Sequence, residues 1–304
     1  MKAKKIIVLG SCNTDMVIQT ARLPVPGETI IGGEFMMTPG GKGANQAVAA
    51  SRLGGNVTFI TKIGNDVFGR QSLELYQNEN INTDHVFLDP NNPSGVALIT
   101  VDNNAENCIV VASGANKTLS KEDVDKCREE IESADILLIQ LEIPLETVEY
   151  AAEIAYKAGV KVIVNPAPAS FLPDNLFKNT HMIIPNMTEA EILSGVKVFD
   201  WNSAKTAADV ISKKGVDIVI ITLGILGALL KENGTYHEIP IEVKVKAVDT
   251  TAAGDTFCGA LCVAISEGTP LTEAIRFANR AAGLSVTKMG AQVSIPYRKD
   301  IVSP

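Results

Sequence analysis

The sequence predicts an α/β fold, with a mainly parallel β-sheet flanked by helices on both faces. Short runs rich in Ile and Val alternate with longer segments of helical period, which is typical of βαβ units. Several of the predicted helices stop at a glycine, where a left-handed C-cap forms. With 304 residues, 46% of them hydrophobic, the chain can bury one large core, so we expect a single domain over 1–304.

The predicted elements cover most of the chain in alternation. The core strands are predicted at 6–10, 57–63, 136–141, 160–165, 181–185 and 217–222. Helices are predicted near 43–53, 66–79, 121–132, 145–158, 202–214, 255–267 and 271–287. The C-cap glycines are Gly54, Gly159, Gly215 and Gly268.

Two segments break this alternation, because 17–38 and 95–113 contain extended, half-polar stretches with no helix between them. We expect strands outside the main sheet, paired into a small β-sheet lid formed by about 15–38 and 93–113. Such a lid would cover a ligand site and exclude water from it. Ordinary surface hairpins are the alternative, and the sequence leaves both open.

Charge and hydropathy exclude several classes of function. A net charge of −8 and a pI near 5.1, without a basic cluster beyond the first residues, argue against nucleic acid as a partner. The longest apolar stretch, 218–230, is shorter than the roughly 20 residues that span a bilayer. The short run after the N-terminal lysines is predicted to be a first strand and not a signal peptide. We expect a soluble protein with no membrane partner.

The five cysteines indicate a reducing compartment. They are odd in number, far apart and without a C-x-x-C pair, so we expect reduced thiols and a cytoplasmic protein. Two of them, Cys258 and Cys262, are four apart on a predicted helix. They are interpreted as packing residues because no further Cys or His lies near them in the sequence.

Two common nucleotide motifs are absent. The only Gly-Lys dipeptide, Gly41-Lys42, lacks the upstream glycine and the following Ser or Thr of a P-loop. The first strand runs into a polar segment and not into G-x-G-x-x-G, which argues against a dinucleotide fold. A P-loop enzyme and a nicotinamide enzyme are therefore not expected.

The segment Asp249–Phe257, DTTAAGDTF, precedes an apolar helix and carries the most chemical information. Its small residues Ala252, Ala253 and Gly254 can present backbone N–H groups at a helix N-terminus, where an anion is stabilised. Asp255 would lie beside this anion hole, kept ionised by the helix dipole and able to accept the proton of a hydroxyl. A simple helix-start role for Asp255 is the alternative.

The histidines do not offer another base. The chain has three, His85, His181 and His237, and none is near a glycine-rich turn. Because no histidine is placed to act as the base, the sequence favours a carboxylate in that role.

Two N-terminal segments have the residues to bind a polyhydroxylated ligand. The glycine-rich turn 39–45 leads into a helix and presents Lys42 and Asn45 as donors. Asn13 and Asp15 follow the first strand and leave an extended chain on the same side, a geometry that suits a diol. An Asx turn is the alternative for that pair.

Further polar residues fall at predicted strand ends, where ligands of doubly wound sheets bind. They are Glu142, Asn186 with Glu189, and Thr222. A turn with Gly224 and Gly227 follows Thr222 and could pass beneath a nucleotide.

Taken together, these residues resemble the ribokinase family of sugar kinases over essentially the whole chain. One signature reads GGKGANQA over 40–47, with glycines at 54 and 64, and the other reads DTTAAGD over 249–255. NPAPA at 165–169 and GAQ at 290–292 add to the resemblance. It implies an ATP-dependent kinase that phosphorylates D-ribose at O5, on the fold predicted above.

The resemblance also implies a role for each matching residue. Asp255 would be the catalytic base, with the N–H groups of Ala252, Ala253 and Gly254 as the anion hole. The sugar-binding residues would be Asn13, Asp15, Gly41, Lys42, Asn45, Glu142 and Asp255. The nucleotide-binding residues would be Asn186, Thr222, Gly224, Gly227, Gly254 and Asn279. Glu189 would position Mg²⁺ through water, and a monovalent cation such as K⁺ would be bound by Asp249, Thr251, Ser285, Lys288, Gly290 and Ser294.

The resemblance favours a homodimer joined through the lid, and it leaves the acceptor open. A kinase of the same family could instead use 2-deoxyribose, fructose or a nucleoside, although Asn13 and Lys42 favour ribose. A catalytically silent sugar-binding regulatory protein on the same fold is the alternative from another class. The presence of Asp255 argues against it.

Overall fold

The computed structural model of the protein describes residues 4–103 and 106–301. The single domain predicted over 1–304 and the lid segment 93–113 therefore include positions outside the described residues. Within the described ranges the strands, in chain order, are β1 (Lys5–Leu9), β2 (Asn13–Gln19), β3 (Phe35–Gly40), β4 (Asn56–Gly64), β5 (Val86–Asp89), β6 (Gly95–Val101), β7 (Asn107–Ala112), β8 (Ile136–Ile139), β9 (Lys161–Val164), β10 (Met182–Ile183), β11 (Ile218–Thr222), β12 (Ala228–Glu232) and β13 (Thr235–Ile239).

The helices alternate with these strands along the chain. They are α1 (Lys42–Arg52), α2 (Val67–Asn78), α3 (Lys121–Lys126), α4 (Arg128–Glu132), α5 (Leu145–Lys157), α6 (Asp174–Lys178), α7 (Met187–Ser194), α8 (Trp201–Ser212), α9 (Ala253–Ser266), α10 (Leu271–Ser285) and α11 (Arg298–Ile301). Short 3₁₀ turns occupy Gly114–Thr118, Gly224–Leu226 and Gln292–Ser294. No described helix is both long and apolar enough to cross a bilayer.

The main sheet confirms the predicted α/β class. Its nine strands run in the order β13-β12-β11-β10-β9-β8-β1-β4-β5, and every pair from β11 to β5 is parallel. Alternate residues of β1 enter two separate cores: Ile6 and Val8 pack with α1, α9 and α10 on one face, and Ile7 and Leu9 pack with α5 and α8 on the other. Each such buried side chain contributes about 1.5–3 kcal/mol of transfer free energy.

A second, small sheet has the order β3-β2-β6-β7 and lies in the two segments that break the alternation. Here β2 pairs parallel with β6, and the other two pairs are antiparallel. Asn13 and Asp15 belong to β2 and do not simply trail the first strand, because only residues 10–12 separate β1 from the small sheet. The chain therefore passes directly from one sheet to the other at the point where ligand-binding residues were predicted.

Two glycines allow α1 to pack closely on its neighbours. A Cβ at Gly43 would lie 2.6 Å from the backbone nitrogen of Ser11, and one at Gly259 would lie 2.7 Å from the Cβ of Ala49. Any side chain at either position would push α1 away from the end of β1 or away from α9. Helix α1 is thus fixed against the carboxyl end of β1 and against α9, the other helix that carries candidate site residues.

Some elements differ from the sequence prediction. The helix predicted at 121–132 is interrupted at Cys127 and forms α3 and α4. The hairpin of β12 and β13 was not predicted, although Asn233 and Gly234 both have positive φ, 50° and 75°. That pair is the sequence signal of a two-residue I′ turn, and it places an antiparallel hairpin at one edge of the main sheet.

The cysteines are all free thiols in the described structure. Cys258 and Cys262 are buried on α9 in an apolar core, which agrees with their interpretation as packing residues. No cluster of three or more His, Cys, Asp or Glu side chains suited to a metal ion occurs within residues 4–103 and 106–301.

Candidate active site

Asp255 lies in the first turn of α9, next to the start of α1. Its side chain is buried, and its two oxygens accept hydrogen bonds from different residues of α1: Asn45 Nδ2 donates to Oδ2 and Gln46 Nε2 to Oδ1, both at 3.0 Å. The two sequence segments that were predicted to carry the chemistry therefore meet at one carboxylate. This arrangement fixes the plane of the carboxylate and leaves further lone pairs on each oxygen for a ligand.

The charges around Asp255 suit a buried base. Burial raises the pKa of Asp255 above its ordinary value, while the charge of Lys42 and the bonds from Asn45 and Gln46 oppose this rise. The charge of Asp255 is in turn the largest cause that raises the pKa of Lys42, so the ammonium stays charged. A carboxylate and an ammonium thus lie close enough at the N-terminus of α9 for each to shift the pKa of the other.

The backbone at the start of α9 leaves N–H groups for an anion. Ala252 is the N-cap residue and has the left-handed conformation, with φ 59° and ψ 10° and no side-chain cap. A non-glycine residue in this region costs about 1–3 kcal/mol, a strain that clusters at functional sites. The N–H of Ala253 points at the carbonyl of Thr250 at 3.3 Å, so Ala252 and Gly254 are the freer of the three predicted donors.

Asn13 and Asp15 lie on β2, beside the glycine-rich turn. The carboxylate of Asp15 lies over Gly40, where a Cβ would come within 2.2 Å of Oδ2, and Gly41 has φ 90°. Burial, followed by the charge of Glu142, raises the pKa of Asp15 to about 6. The turn therefore needs glycine both for its conformation and to make room for this carboxylate.

An asparagine that the sequence analysis did not single out positions Asn13. Asn116 Nδ2 donates to Asn13 Oδ1 at 2.8 Å and to the carbonyl of Cys12 at 3.0 Å, and Asn116 Oδ1 accepts from the Cys12 N–H at 2.9 Å. Gly95 gives space for this contact, since its Cβ would lie 2.1 Å from Asn13 Oδ1. No charge, motif or spacing in the sequence marks Asn116.

Glu142 joins the glycine-rich turn to the end of β8. Its Oε2 accepts from the backbone N–H of Lys42 at 3.0 Å and from Ser11 Oγ at 2.5 Å. Asn45 Oδ1 is buried and has no hydrogen-bond partner among the residues that the structure describes. An unpaired buried acceptor of this kind is costly unless a ligand donates to it, and a sugar hydroxyl is such a donor.

Asn186 and Glu189 form a capping box at the start of α7. Asn186 Oδ1 accepts from the Glu189 N–H at 2.9 Å, and Glu189 Oε2 accepts from the Asn186 N–H at 2.8 Å. Burial raises the pKa of Glu189, the charge of Lys42 opposes this rise, and the charge of Asp255 adds to it. Thr222 is next to Asn186, because its N–H donates to the carbonyl of Pro185 at 3.0 Å.

The predicted nucleotide residues beyond β11 lie around a turn and a cavity. Gly224 and Gly227 both have positive φ, 57° and 113°, in the turn between β11 and β12. Asn279 lies on α10 and donates to the carbonyl of Ile239 at 3.4 Å. It lines a cavity of about 160 Å³ together with Pro240, Ile241, Glu242, Val243, Val245, Arg276, Arg280, Gly283, Leu284, Asp300 and Ile301.

The residues predicted to bind a monovalent cation come from two segments that the fold ties together. The Val248 N–H donates to the carbonyl of Val286 at 2.7 Å, and Asp249 Oδ2 accepts from the Gly290 N–H at 2.8 Å. Asp249 Oδ1 accepts from both the N–H and the hydroxyl of Thr251. Burial opposes ionisation of Asp249, but these bonds outweigh it and hold its pKa below the ordinary value.

The remaining predicted cation ligands are two serines and a lysine. Ser285 and Ser294 are buried, and each donates its hydroxyl to a carbonyl three residues earlier. The backbone N–H of Lys288 donates to the carbonyl of Ser285 at 3.3 Å. The oxygen atoms of both serine hydroxyls thus keep lone pairs to offer.

Sequence reasoning also missed a row of buried amides behind Asp255. Gln46, Gln140 and Asn165 are all buried and are linked to one another by hydrogen bonds. Gln46 and Asn165 stand within recognisable motifs, but nothing in the sequence pairs them with Gln140.

Comparisons with known proteins agree over the full length of the chain. The sequence model of the family described as pfkB family carbohydrate kinase matches residues 3–298. The chain is 48% identical to the ribokinase of Haemophilus influenzae, over 98% of this chain and 97% of that one, and 38% identical to the deoxyribokinase of Salmonella typhi, over 96% and 95%. Among solved structures, Arabidopsis thaliana ribokinase complexed with ribose and ATP has a TM-score of 0.93 at 33% identity, with 99% and 98% of the chains covered.

Proposed function

The chain belongs to the pfkB family of carbohydrate kinases, and from this we infer that it is an enzyme that transfers the γ-phosphoryl group of ATP to ribose. Relatives named ribokinase are similar over the full length of both chains, and one of them binds ribose and ATP in its solved structure. Within this chain, the observation that carries the proposal is the buried Asp255 carboxylate, held by α1 beside Lys42 at the N-terminus of α9. We propose O5 as the hydroxyl that is phosphorylated.

We assign the sugar to the space between α1, β2 and the end of β8. The sugar would be bound by Asn13, Asp15, Gly41, Lys42, Asn45, Glu142 and Asp255. Two acceptors support this assignment: Asn45 Oδ1 has no partner among the described residues, and the Asp15 carboxylate lies beside the turn. Neighbouring hydroxyls of a furanose can donate to both, which offsets the cost of burying them.

The chemistry follows from the position of Asp255. Its carboxylate accepts the proton of the attacking hydroxyl, while the N–H groups of Ala252, Ala253 and Gly254 and the α9 dipole stabilise charge on the phosphoryl group. Lys42 adds a positive charge beside this carboxylate. Most of the catalysis is positioning and electrostatics, as in other phosphoryl transfers.

ATP would lie along the carboxyl ends of β10 and β11. Asn186 and Thr222 are adjacent there, and the positive-φ glycines Gly224 and Gly227 let the backbone approach a flat ligand closely. The cavity beside Asn279 has apolar walls and a few polar groups, which suits a nucleobase. Gly254 would contact the phosphates from the other side.

Mg²⁺ is the expected partner of the ATP phosphates, on which it neutralises developing charge. The residues fit this role, because Glu189 is a buried carboxylate near Lys42 and Asp255 but uses both oxygens in contacts with Asn186. We therefore propose that Glu189 holds the ion through water.

A monovalent cation such as K⁺ is the second ion that we propose. The donor set fits a hard cation: an ionised Asp249 carboxylate with oxygen atoms of Thr251, Ser285, Lys288, Gly290 and Ser294, several of them backbone oxygens. A bound cation would brace the segment that leads into the anion hole.

We propose that the whole chain forms one domain whose small sheet acts as a lid and joins two copies in a homodimer. Ile18, Phe35, Leu98, Ile109 and Val110 of this sheet are exposed, an apolar patch that is uncommon on a monomer. The free thiols agree with a cytoplasmic location, which we also propose.

One specific observation supports 2-deoxyribose as a second candidate acceptor. The deoxyribokinase of Salmonella typhi is 38% identical over nearly the full length, so the phosphoryl-transfer residues alone do not separate ribose from 2-deoxyribose. Fructose and nucleosides are further acceptors to test. A silent sugar-binding protein is disfavoured, since it has no need of a buried base.

The experiment that tests the proposal is ADP release from the purified protein with ATP, Mg²⁺ and K⁺. The acceptors are ribose, 2-deoxyribose, fructose and adenosine, and each assay is repeated with K⁺ replaced by tetramethylammonium. Turnover that is highest on ribose and falls without K⁺ supports the acceptor and the cation site. Preference for another acceptor overturns ribose and keeps the kinase, while sugar binding without turnover indicates the silent protein.

A further inference from the structure

The buried amides behind Asp255 form one connected chain of hydrogen bonds. Gln140 Nε2 donates to Gln46 Oε1 at 2.6 Å, and Gln46 Nε2 donates both to Asp255 Oδ1 and to Asn165 Oδ1, each at 3.0 Å. The chain ends where Asn165 Nδ2 donates to the carbonyl of Ile184 at 2.9 Å. All four side chains are at least nine-tenths buried.

The orientations of Asn165 and Gln46 in this chain are determined by their neighbours. The carbonyl of Ile184 can only accept, so Asn165 must turn its NH₂ towards it and present Oδ1 to Gln46. Gln46 then has to present its NH₂ to Asn165. A flipped Gln46 would set its oxygen against two acceptors, Asp255 Oδ1 and Asn165 Oδ1, which are two unfavourable contacts in a buried site.

We propose that Gln46 is a positioning residue for the catalytic base, with one N–H fixed on Asp255 Oδ1 in the direction imposed by Asn165 and with its oxygen bonded by Gln140. This inference rests on the proposed role of Asp255. Asn45 holds the other carboxylate oxygen, so the two α1 amides together set the plane of the carboxylate towards the substrate hydroxyl. Gln46 itself contacts the base and not the reacting atoms.

The proposal has a consequence for the pH dependence of the reaction. The N–H of Gln46 stabilises the ionised form of Asp255, in which the base must be to accept a proton. Without it, the pKa of the base rises and activity is lost at a higher pH on the acid side. The other charged or titratable groups that act on Asp255 are Lys42, Asp15, Glu142, Glu189 and Cys258.

The test compares the pH profile of kcat/KM in the wild type and in Gln46→Met, which keeps the length of the side chain and removes the donor. We expect the acid limb to move up by about one pH unit and kcat at pH 7 to fall about tenfold, with KM for ATP unchanged. Val48→Ala is the matched control on α1: it opens the buried core without touching the amides, so it lowers the thermal stability and leaves the acid limb in place.

Gln140→Met is the second variant, in case Gln46→Met does not fold. It frees Gln46 Oε1, so the acid limb should move in the same direction by a smaller amount. An acid limb of either folded variant that superimposes on that of the wild type overturns the proposal. The profile is measured on whichever acceptor the wild type uses, so a wrong acceptor leaves the test intact. A wild type that phosphorylates none of them overturns the proposed function, and this inference with it.

Discussion

Replacing Asp255 by Asn tests the catalytic base directly, because the change removes charge and basicity and keeps the shape. General bases contribute roughly 10²–10⁴-fold, so we expect turnover to fall by at least two orders of magnitude. Both carboxylate oxygens accept an N–H, from Asn45 and from Gln46. The amide introduced by Asp255→Asn can accept only on its oxygen, so its own NH₂ would face one of these donors, at a cost of about 1–3 kcal/mol.

The free-energy cost of the lost hydrogen bond is partly offset, because burial disfavours the charged form of Asp255 and the introduced asparagine carries no charge. We therefore expect the variant to stay folded and to bind ribose and ATP. The assay is ADP release at saturating substrates, with binding measured by calorimetry and stability by thermal unfolding. Asp200→Asn, at the N-cap of α8, is the matched control and should keep wild-type turnover, because Asn caps as well as Asp. Turnover near the wild-type rate in Asp255→Asn would refute the base role.

Asp15→Asn should raise the free energy of unfolding at pH 7 by up to about 3 kcal/mol and weaken ribose binding. Burial raises the pKa of Asp15 to about 6, so the wild type loses stability as the pH rises from about 4 to 6, whereas the neutral asparagine does not. Urea unfolding at pH 4 and pH 7 measures this difference, and equal stability of the two proteins at pH 7 would contradict it. Asn186→Ala should cost about 1 kcal/mol through the lost capping box and also raise KM for ATP, whereas a pure stability loss would argue against nucleotide contact. Ile109→Glu on β7 should convert the proposed dimer to a monomer, as measured by light scattering, whereas Val67→Glu, equally exposed on α2, should not. A monomeric wild type would rule out the proposed dimer.

The alternation of apolar runs and helices is a local property, and it predicted the order and nature of the central elements. The same reasoning placed Asn13 and Asp15 after the first strand but could not show that they begin β2 of a second sheet. That change of sheet depends on pairing with β6, more than 80 residues away in the chain. The hairpin at Asn233 and Gly234 was within reach of sequence reasoning, through its turn signal alone.

The candidate site was predictable where chemistry imposes unusual residues and hidden where it uses ordinary ones. Glycines, a buried Asp and a lysine in fixed spacing stand out in the sequence. Asn116 and Gln140 do not, and the motif that contains Gln46 does not reveal its partner, because an amide acquires its role from the groups it faces: Asn116 bonds across 103 residues to Asn13, and Gln46 bonds across 209 to Asp255. Burial and orientation of an amide are tertiary facts, so no local pattern encodes them.

The sequence also left open whether an acid in the first turn of a helix is structural or functional, and the N-cap residue determines whether that acid caps its own helix. Glu189 and Asp255 both occupy the third position of their helices, α7 and α9. Asn186 caps α7 in an extended conformation, so Glu189 bonds back to its backbone. Ala252 caps α9 in the left-handed conformation and has no side-chain oxygen, so Asp255 is held by another helix. The same choice of cap leaves the N–H groups of Ala252 and Gly254 to an anion, which means that the proposed base and the proposed anion hole both follow from one backbone conformation.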